Sequence, residues 1–357
     1  VFYKLKYLSE QGHRIHLHTF GYNHRNTPEN INALKPFCKS IEIYPRKSAF
    51  CAFFSRYPYI IISRYNKTLL RNLRKDSAPI LFEGLHTTYY LKFKDIQQRS
   101  TIVRSHNIEH SYYRHLGYST KNPIKKLYFF SESIKLFFFK HILSKAGAVA
   151  AITQNDKEEI TSINPNTFYL PPFFSFQADT SIEDEPYILY HGNLSVPENE
   201  KAILWLINNV FSKTTTIRIV IAGMLPHKRL YEATKKYKHI EIVASPSNKK
   251  MEDLIRRARI NLLYSFQDTG IKLKLLHVLF SGKHCIVNTK IVQNTNLSKL
   301  CIVADKPSEI SYAIKSLFPI PFLPERKQER LKTLYQTFDF EKETKKLIEV
   351  FLSLSEA

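Results

Sequence analysis

Short apolar runs rich in β-branched and aromatic residues alternate with amphipathic stretches along almost the whole chain. In the first half the runs predict strands over residues 14–20, 40–44, 79–82, 101–104, 148–153 and 167–170. In the second half they recur over 187–190, 217–222, 240–244, 260–264, 285–288 and 301–304. Most are continuous rather than alternating, as expected of strands covered on both faces. Periodic segments such as 201–211 and 251–258 lie between them and suit crossover helices. This alternation predicts an α/β protein with two doubly wound, Rossmann-like domains.

Prolines and clustered charges mark the seams. After Leu170 come Pro171 and Pro172, an aromatic stretch to Phe176, and an acidic segment from Asp179 to Pro186. The reading is an N-terminal domain over 1–175, a C-terminal domain over 186–335, and a last helix within 336–357 that returns to the first domain. Residues 1–11 read as a helix, with Phe2, Leu5 and Leu8 on one face, ending at Gly12. A doubly wound domain ordinarily opens with a strand and a glycine loop, so a first strand is expected to be missing ahead of that helix. The aromatic, lysine-studded stretch 124–145 is expected to be a buried helix with snorkelling lysines, and a membrane-surface helix is the second reading.

Composition narrows the field. Of the 357 residues 43% are hydrophobic and 24% charged, which excludes a disordered or fibrous chain. No apolar run is long enough for a membrane span, and no secretory leader is visible. Cys38, Cys51, Cys285 and Cys301 are too dispersed for a zinc or redox motif and too few for a disulfide framework. A reducing cytoplasm is the expected setting. The net charge of +22 suits an anionic membrane face, phosphorylated substrates or nucleic acid. No RNA- or DNA-binding signature accompanies it, so no nucleic-acid partner is expected.

The densest chemistry lies in Asp268-Thr-Gly-Ile-Lys-Leu-Lys-Leu-Leu-His277, between two strand runs and followed by Gly282-Lys283. A glycine at a strand-to-helix junction lets backbone N–H groups approach a phosphate, and the helix N-terminus favours its charge. Lys272 and Lys274 add cations there. A second cluster, Arg104-Ser-His106-Asn107-Ile-Glu109-His110, comes after the strand over 101–104, so His106 falls at a strand's carboxyl end, where open parallel sheets bind ligands. Glu83-Gly84-Leu-His86 ends another strand in the same way. The run His106-x-x-Glu109-His110 also spells an inverted zinc-peptidase motif, and a zinc metallopeptidase and a basic nucleic-acid-binding module are the alternative functions.

Gly270-Ile271-Lys272-Leu273-Lys274, then Gly282-Lys283, resembles the donor loop and helix of the GT-B glycosyltransferases, retaining family four. Tyr190-His-Gly192-Asn193-Leu-Ser195 resembles the first strand and loop of that family's C-terminal domain, Ile221-Ala-Gly223 its next strand end, and Ile152-Thr153 with Asp156 its "I-S-x-x-D" segment. Phe338-Asp-Phe-Glu341 resembles the entry to its last helix, and the matches run in order along about the whole chain. The resemblance implies two Rossmann-like domains facing across a cleft and transfer, with retention, of a sugar from a nucleotide-sugar donor to a glycan or lipid-linked acceptor in cell-surface polysaccharide synthesis. No cofactor is expected, and no metal, because the lysines and the helix N-terminus already offset a diphosphate's charge; the positive surface adds the inner face of a membrane, with the enzyme as a peripheral cytoplasmic protein, as an expected location. Carried onto this chain, Gly192, Asn193, Gly270, Ile271, Lys272, Leu273, Lys274 and His277 would bind the donor. His106 would act at the transferring sugar, and His86, Arg104, Asn107 and Glu109 would face the acceptor. The chain departs from the family at Thr269 and His277, where two glutamates are usual, and at Asn193, where arginine is expected.

Overall fold

The structure, a computed structural model, describes residues 1–21, 27–48, 55–120, 122–174, 184–267, 272–293 and 295–356. Apolar runs become strands because parallel pairing satisfies their backbone groups while both faces stay buried. Among the described residues twelve strands result: β1 (His16–Phe20), β2 (Ser40–Tyr44), β3 (Ile80–Glu83), β4 (Thr101–Arg104), β5 (Ala148–Ala151), β6 (Thr167–Tyr169), β7 (Glu185–Asn193), β8 (Arg218–Met224), β9 (Ile240–Ala244), β10 (Ala258–Leu263), β11 (His284–Val287) and β12 (Ile302–Val303). The contacts divide the chain into two units, one of Val1–Gly117, Asn122–Ser175 and Phe338–Ala357, the other of Tyr118–Lys121 and Phe176–Thr337.

In the second unit the sheet order is β12-β11-β10-β7-β8-β9, and every ladder is parallel. From β7 the chain winds outward through β8 and β9, then returns to the other side of β7 as β10. The winding direction therefore reverses between β7 and β10, and the crevice beyond their carboxyl ends is the topological switch point. The helix Pro197–Asn209 packs Ala202, Ile203, Leu206 and Ile207 against Ile188, Tyr190 and Ile219 of the sheet. At Gly223 β8 approaches β7 so closely that a Cβ would lie 1.8 Å from the Gly192 carbonyl oxygen.

The first unit departs from the expected single sheet. β3, β4, β5 and β6 form one parallel ladder, while β1 and β2 pair only with each other. Among the described residues, the outer edges of β1 and β3 carry no partner strand. Side chains bridge the interval instead: Tyr44 of β2, with Phe20 of β1 against it, shares one core with Phe82, Val103 and Val149. The opposite face of β4 and β5 is closed by the final helix, Phe340–Glu356, whose Leu347 is fully buried against Ile102, Ala148 and Ala150. Gly147 leaves room for it, since a Cβ there would come within 2.9 Å of Leu354.

The stretch expected to be one buried helix over 124–145 differs in two ways. It is an α-helix over Pro123–Phe139, started by Asn122 accepting from the Lys125 N–H, and then a 3-10 turn over Lys140–Lys145. Only Glu132, Ser133, Leu136 and Phe139 are buried, because a single face of this helix meets the core; its other apolar face lies open.

Candidate functional site

The carboxyl end of β7 runs past the last buried tyrosine into His191, Gly192 and Asn193, which continue the ladder with β8. Asn193 Oδ1 accepts from the Ser195 N–H at 3.1 Å and from its hydroxyl at 2.7 Å, making a tight turn into the helix Pro197–Asn209. Asn199, in the first turn of that helix, donates back to the Asn193 carbonyl at 2.9 Å. Glu198 beside it is buried and draws in the loop after β10: its Oε1 accepts from the Phe266 N–H at 2.7 Å and from the Ser265 hydroxyl at 3.2 Å. Asn288 holds Ser265 from the other side through both backbone groups. The two loops at the switch point are thus fastened to each other before any ligand arrives.

Gly270 and Ile271 lie outside the described residues. Lys272 immediately precedes the helix Leu273–Ser281, and Leu273 is exposed. The Lys274 ammonium reaches to 3.5 Å from Asn199 Oδ1 and sits 5.5 Å from the centre of the Tyr190 ring. Burial, with the like charge of Lys272, pushes its pKa down to about 8. His277, one turn further along the same helix, lies with its ring centre 6.4 Å from that of His191, and burial lowers its pKa to about 4. Gly192, Asn193, Lys272, Leu273, Lys274 and His277 are therefore gathered on the two loops and the helix at one end of the central strands. An anion entering there meets a desolvated cation, a helix N-terminus and neutral imidazoles. Gly282 and Lys283 serve packing instead: the Lys283 ammonium donates to the Arg256 carbonyl, and Lys327 and Arg330 donate to the Gly282 carbonyl.

Pattern reading missed His191 and Glu198. His191 is buried, its pKa is lowered to about 3 chiefly by burial, and among the described residues its Nε2 has no hydrogen-bond partner. The available signal was a polar residue prolonging an apolar run just before a glycine. Glu198 offered less, since a glutamate after proline reads as an ordinary acidic first turn.

In the first unit a second cluster forms at the carboxyl ends of β3 and β4. Glu83 closes β3; one carboxylate oxygen pairs with the Lys4 ammonium from the helix Phe2–Glu10, and the other lies 3.0 Å from His106 Nε2. Burial works against ionisation of Glu83, but Lys4 and His106 outweigh it and hold the carboxyl well below the usual range. Lys4 is itself buried and was not legible as a site residue. Gly84 turns the chain at φ +88°, and a Cβ there would lie 2.5 Å from the His86 ring. His86 packs 6.2 Å from the His106 ring, and its pKa falls to about 3 through burial and the neighbouring Arg64 and His106 charges.

The remaining candidates divide. Arg104 is buried and spends its guanidinium on the Leu170 and Pro171 carbonyls, clamping the segment after β6 to β4. The Asn107 carbonyl accepts from the Ser105 hydroxyl at 3.2 Å, shaping the loop that carries His106. Glu109 opens the helix Glu109–Ser119, and burial, opposed by Arg64, pushes its carboxyl up to about 7. The zinc-peptidase alternative fails on this geometry. His106 precedes the helix rather than sharing it with His110, and His110 packs edge-on against Phe137 at 5.3 Å. Among the described residues no three metal-ligating side chains converge.

No family model matches the chain. A relative, an uncharacterised 44.6 kDa protein in the cps region of Klebsiella pneumoniae, is 24% identical over 295 residues, 78% of this chain and 75% of that protein. Among solved structures, sucrose-phosphate synthase from Thermosynechococcus elongatus aligns with a TM-score of 0.65 at 13% identity, over 96% of this chain and 100% of that one. A UDP-forming α,α-trehalose-phosphate synthase from Burkholderia xenovorans aligns with a TM-score of 0.60 at 10% identity, over 97% and 100%. TarM of S. aureus aligns with a TM-score of 0.61 at 12% identity over 79% of this chain, which spans only 57% of TarM. These structures are glycosyltransferases of two Rossmann-like domains, and with its two units of helix-covered parallel sheet the chain has their fold, GT-B.

Proposed function

We propose that the protein is a glycosyltransferase that moves a sugar from a nucleotide-sugar donor to a glycan or lipid-linked acceptor in the synthesis of a cell-surface polysaccharide. The observation that carries this reading is the gathering of Lys274, Asn199, Gly192 and His277 at the switch point of the second sheet, where an anionic ligand would be received. The fold shared with a UDP-forming synthase supports a nucleoside diphosphate as that ligand, and the relative in a cps region supports the polysaccharide setting.

In this reading the bond from the anomeric carbon to the diphosphate oxygen breaks with its electron pair going to the phosphate. Lys274, Lys272 and the N-terminus of the helix Leu273–Ser281 stabilise the charge that develops there, without a divalent metal. His277 hydrogen-bonds a ribose hydroxyl as a neutral imidazole, a role burial suits by lowering its pKa to about 4. His106, fixed through Nε2 by Glu83, orients the sugar being transferred, and the acceptor hydroxyl forms the new bond on the face the phosphate left, its proton passing to the departing phosphate oxygen, with retention. His86 and Glu109 complete the acceptor side.

Calorimetry with UDP and GDP, then with their sugars, tests the reading. Binding of one nucleotide without added metal is expected, weakened at least about tenfold by Lys274→Ala and unchanged by Lys228→Ala, a substitution of an exposed side chain. If neither nucleotide binds, or Lys274→Ala binds as the wild type does, the placement of the phosphate site is wrong.

A further inference from the structure

The helix Pro123–Phe139 buries one face and leaves a second apolar face uncovered. Ile124, Leu127, Ile134 and Phe138 recur at helical spacing along it, with exposures from 61% at Ile134 to 78% at Ile124, and Tyr128 and Phe137 flank them. A stripe of large apolar side chains this long is unusual on a surface that needs no partner. Positive charge surrounds it. Lys125 and Lys126 stand exposed at its first turns. At its other end a cavity of about 460 Å³ is lined by Arg56, Lys92, Lys135, His141 and Lys145, with Phe138 on its wall. Among the described residues no carboxylate lines that cavity, and Glu132 and Glu159 are already paired with Lys135 and Lys140.

We infer that this face docks on an anionic phospholipid bilayer, with the apolar stripe entering the headgroup–acyl boundary and the basic cavity receiving a lipid phosphate. The combination selects the occupant. A second copy meeting the same patch across a two-fold axis would set lysine against lysine, a repulsion that the paired acids do not relieve. A nucleic acid would match the lysines but leave Ile124, Leu127, Ile134 and Phe138 in water. A bilayer with anionic headgroups satisfies both at once, and the helix would lie in the interface plane rather than cross it. Among the described residues no helix is long and apolar enough to span a membrane. The surface belongs to the first unit and uses none of the donor-loop residues, so it stands or falls independently of sugar transfer.

The test is co-sedimentation of the chain with vesicles of phosphatidylcholine alone and of phosphatidylcholine mixed with phosphatidylglycerol, at low and high salt. Expected is partitioning to the mixed vesicles that weakens with salt and is at least about tenfold poorer for Leu127→Ser/Phe138→Ser, since each loses apolar area buried on binding. Lys125→Gln/Lys126→Gln should weaken it independently, by about fivefold per lysine. All four positions are exposed, so both double variants should keep the wild-type circular dichroism spectrum. A wild-type chain that stays in the supernatant with mixed vesicles overturns the inference, as does binding indifferent to both double variants. A dimer in sedimentation velocity that Leu127→Ser/Phe138→Ser dissolves would assign the face to a second copy and overturn it too.

Discussion

Replacing Lys274 with methionine should separate stability from binding. The folded chain holds the Lys274 proton with a pKa of about 8 against an ordinary 10.5, chiefly because burial opposes the charge. At roughly 1.4 kcal/mol per pH unit the gap corresponds to about 3 kcal/mol of cost to the folded state at neutral pH. Methionine keeps the length and apolar stem but loses the contacts with Asn199 and the Tyr190 ring, worth roughly 1 kcal/mol. Lys274→Met is therefore expected to be more stable than the wild type at pH 7 by about 1–2 kcal/mol, read as a higher midpoint in urea. The advantage has a defined pH window. Between about pH 8 and 10.5 the unfolded wild-type chain binds more protons than the folded one, so wild-type stability rises with pH and the gap to the variant closes. The same variant should lose UDP or GDP binding by roughly ten- to hundredfold, as expected for one charge-assisted contact with a phosphate. A Lys274→Met chain less stable than wild type at pH 7, or one whose advantage widened above pH 8, would refute a desolvated cation held ready for an anion.

The first unit supplies three further tests. Glu83→Gln strands the buried Lys4 charge and should cost about 3–5 kcal/mol in urea unfolding; parity with wild type at pH 7 would remove the pair from the account. Because the Glu83 carboxyl is held below its usual range, its contribution is full above about pH 4.5–5 and is lost as the pH falls further, which an acid titration of the wild type against Glu83→Gln should show. Gly84→Ala combines a positive φ with a collision on the His86 ring and should lower stability by about 1–3 kcal/mol, with a shifted His86 resonance in NMR as the local readout. Leu347→Ala empties a fully buried position beneath β4 and β5 and should cost about 2–5 kcal/mol; a loss below about 1 kcal/mol would mean the final helix is not seated there.

Continuous apolar runs were legible because burial on both faces leaves no polar residue to interrupt them: β2, β4 and β9 have the expected bounds. β7 runs three residues further than the pattern suggests, since His191, Gly192 and Asn193 keep their ladder bonds to β8 while breaking the apolar run. On the donor side, the described candidates from Gly192 to His277 lie together because a switch point gathers the loops that leave two neighbouring strands. The Lys4–Glu83 pair was not legible. A lysine in an amphipathic helix reads as solvent-facing, and only tertiary placement beside Glu83 buries it. Nor could periodicity tell which apolar face of the helix Pro123–Phe139 would meet the core, because both faces carry large side chains.

The discontinuity of the first unit has a consequence for synthesis. The four-stranded ladder from β3 to β6 ends in sequence at Tyr169, yet the helix that covers Ile102, Ala148 and Ala150 begins only at Phe340, after the whole second unit. A ribosome adding roughly 5–20 residues per second leaves that apolar face uncovered for on the order of ten seconds or more. The second unit, built from one nearly unbroken segment, can close its core in the meantime. The nascent first unit is thus the stage most exposed to aggregation and most dependent on chaperones, and truncations that remove Phe340–Glu356 should yield a chain whose second unit folds while its first remains sticky.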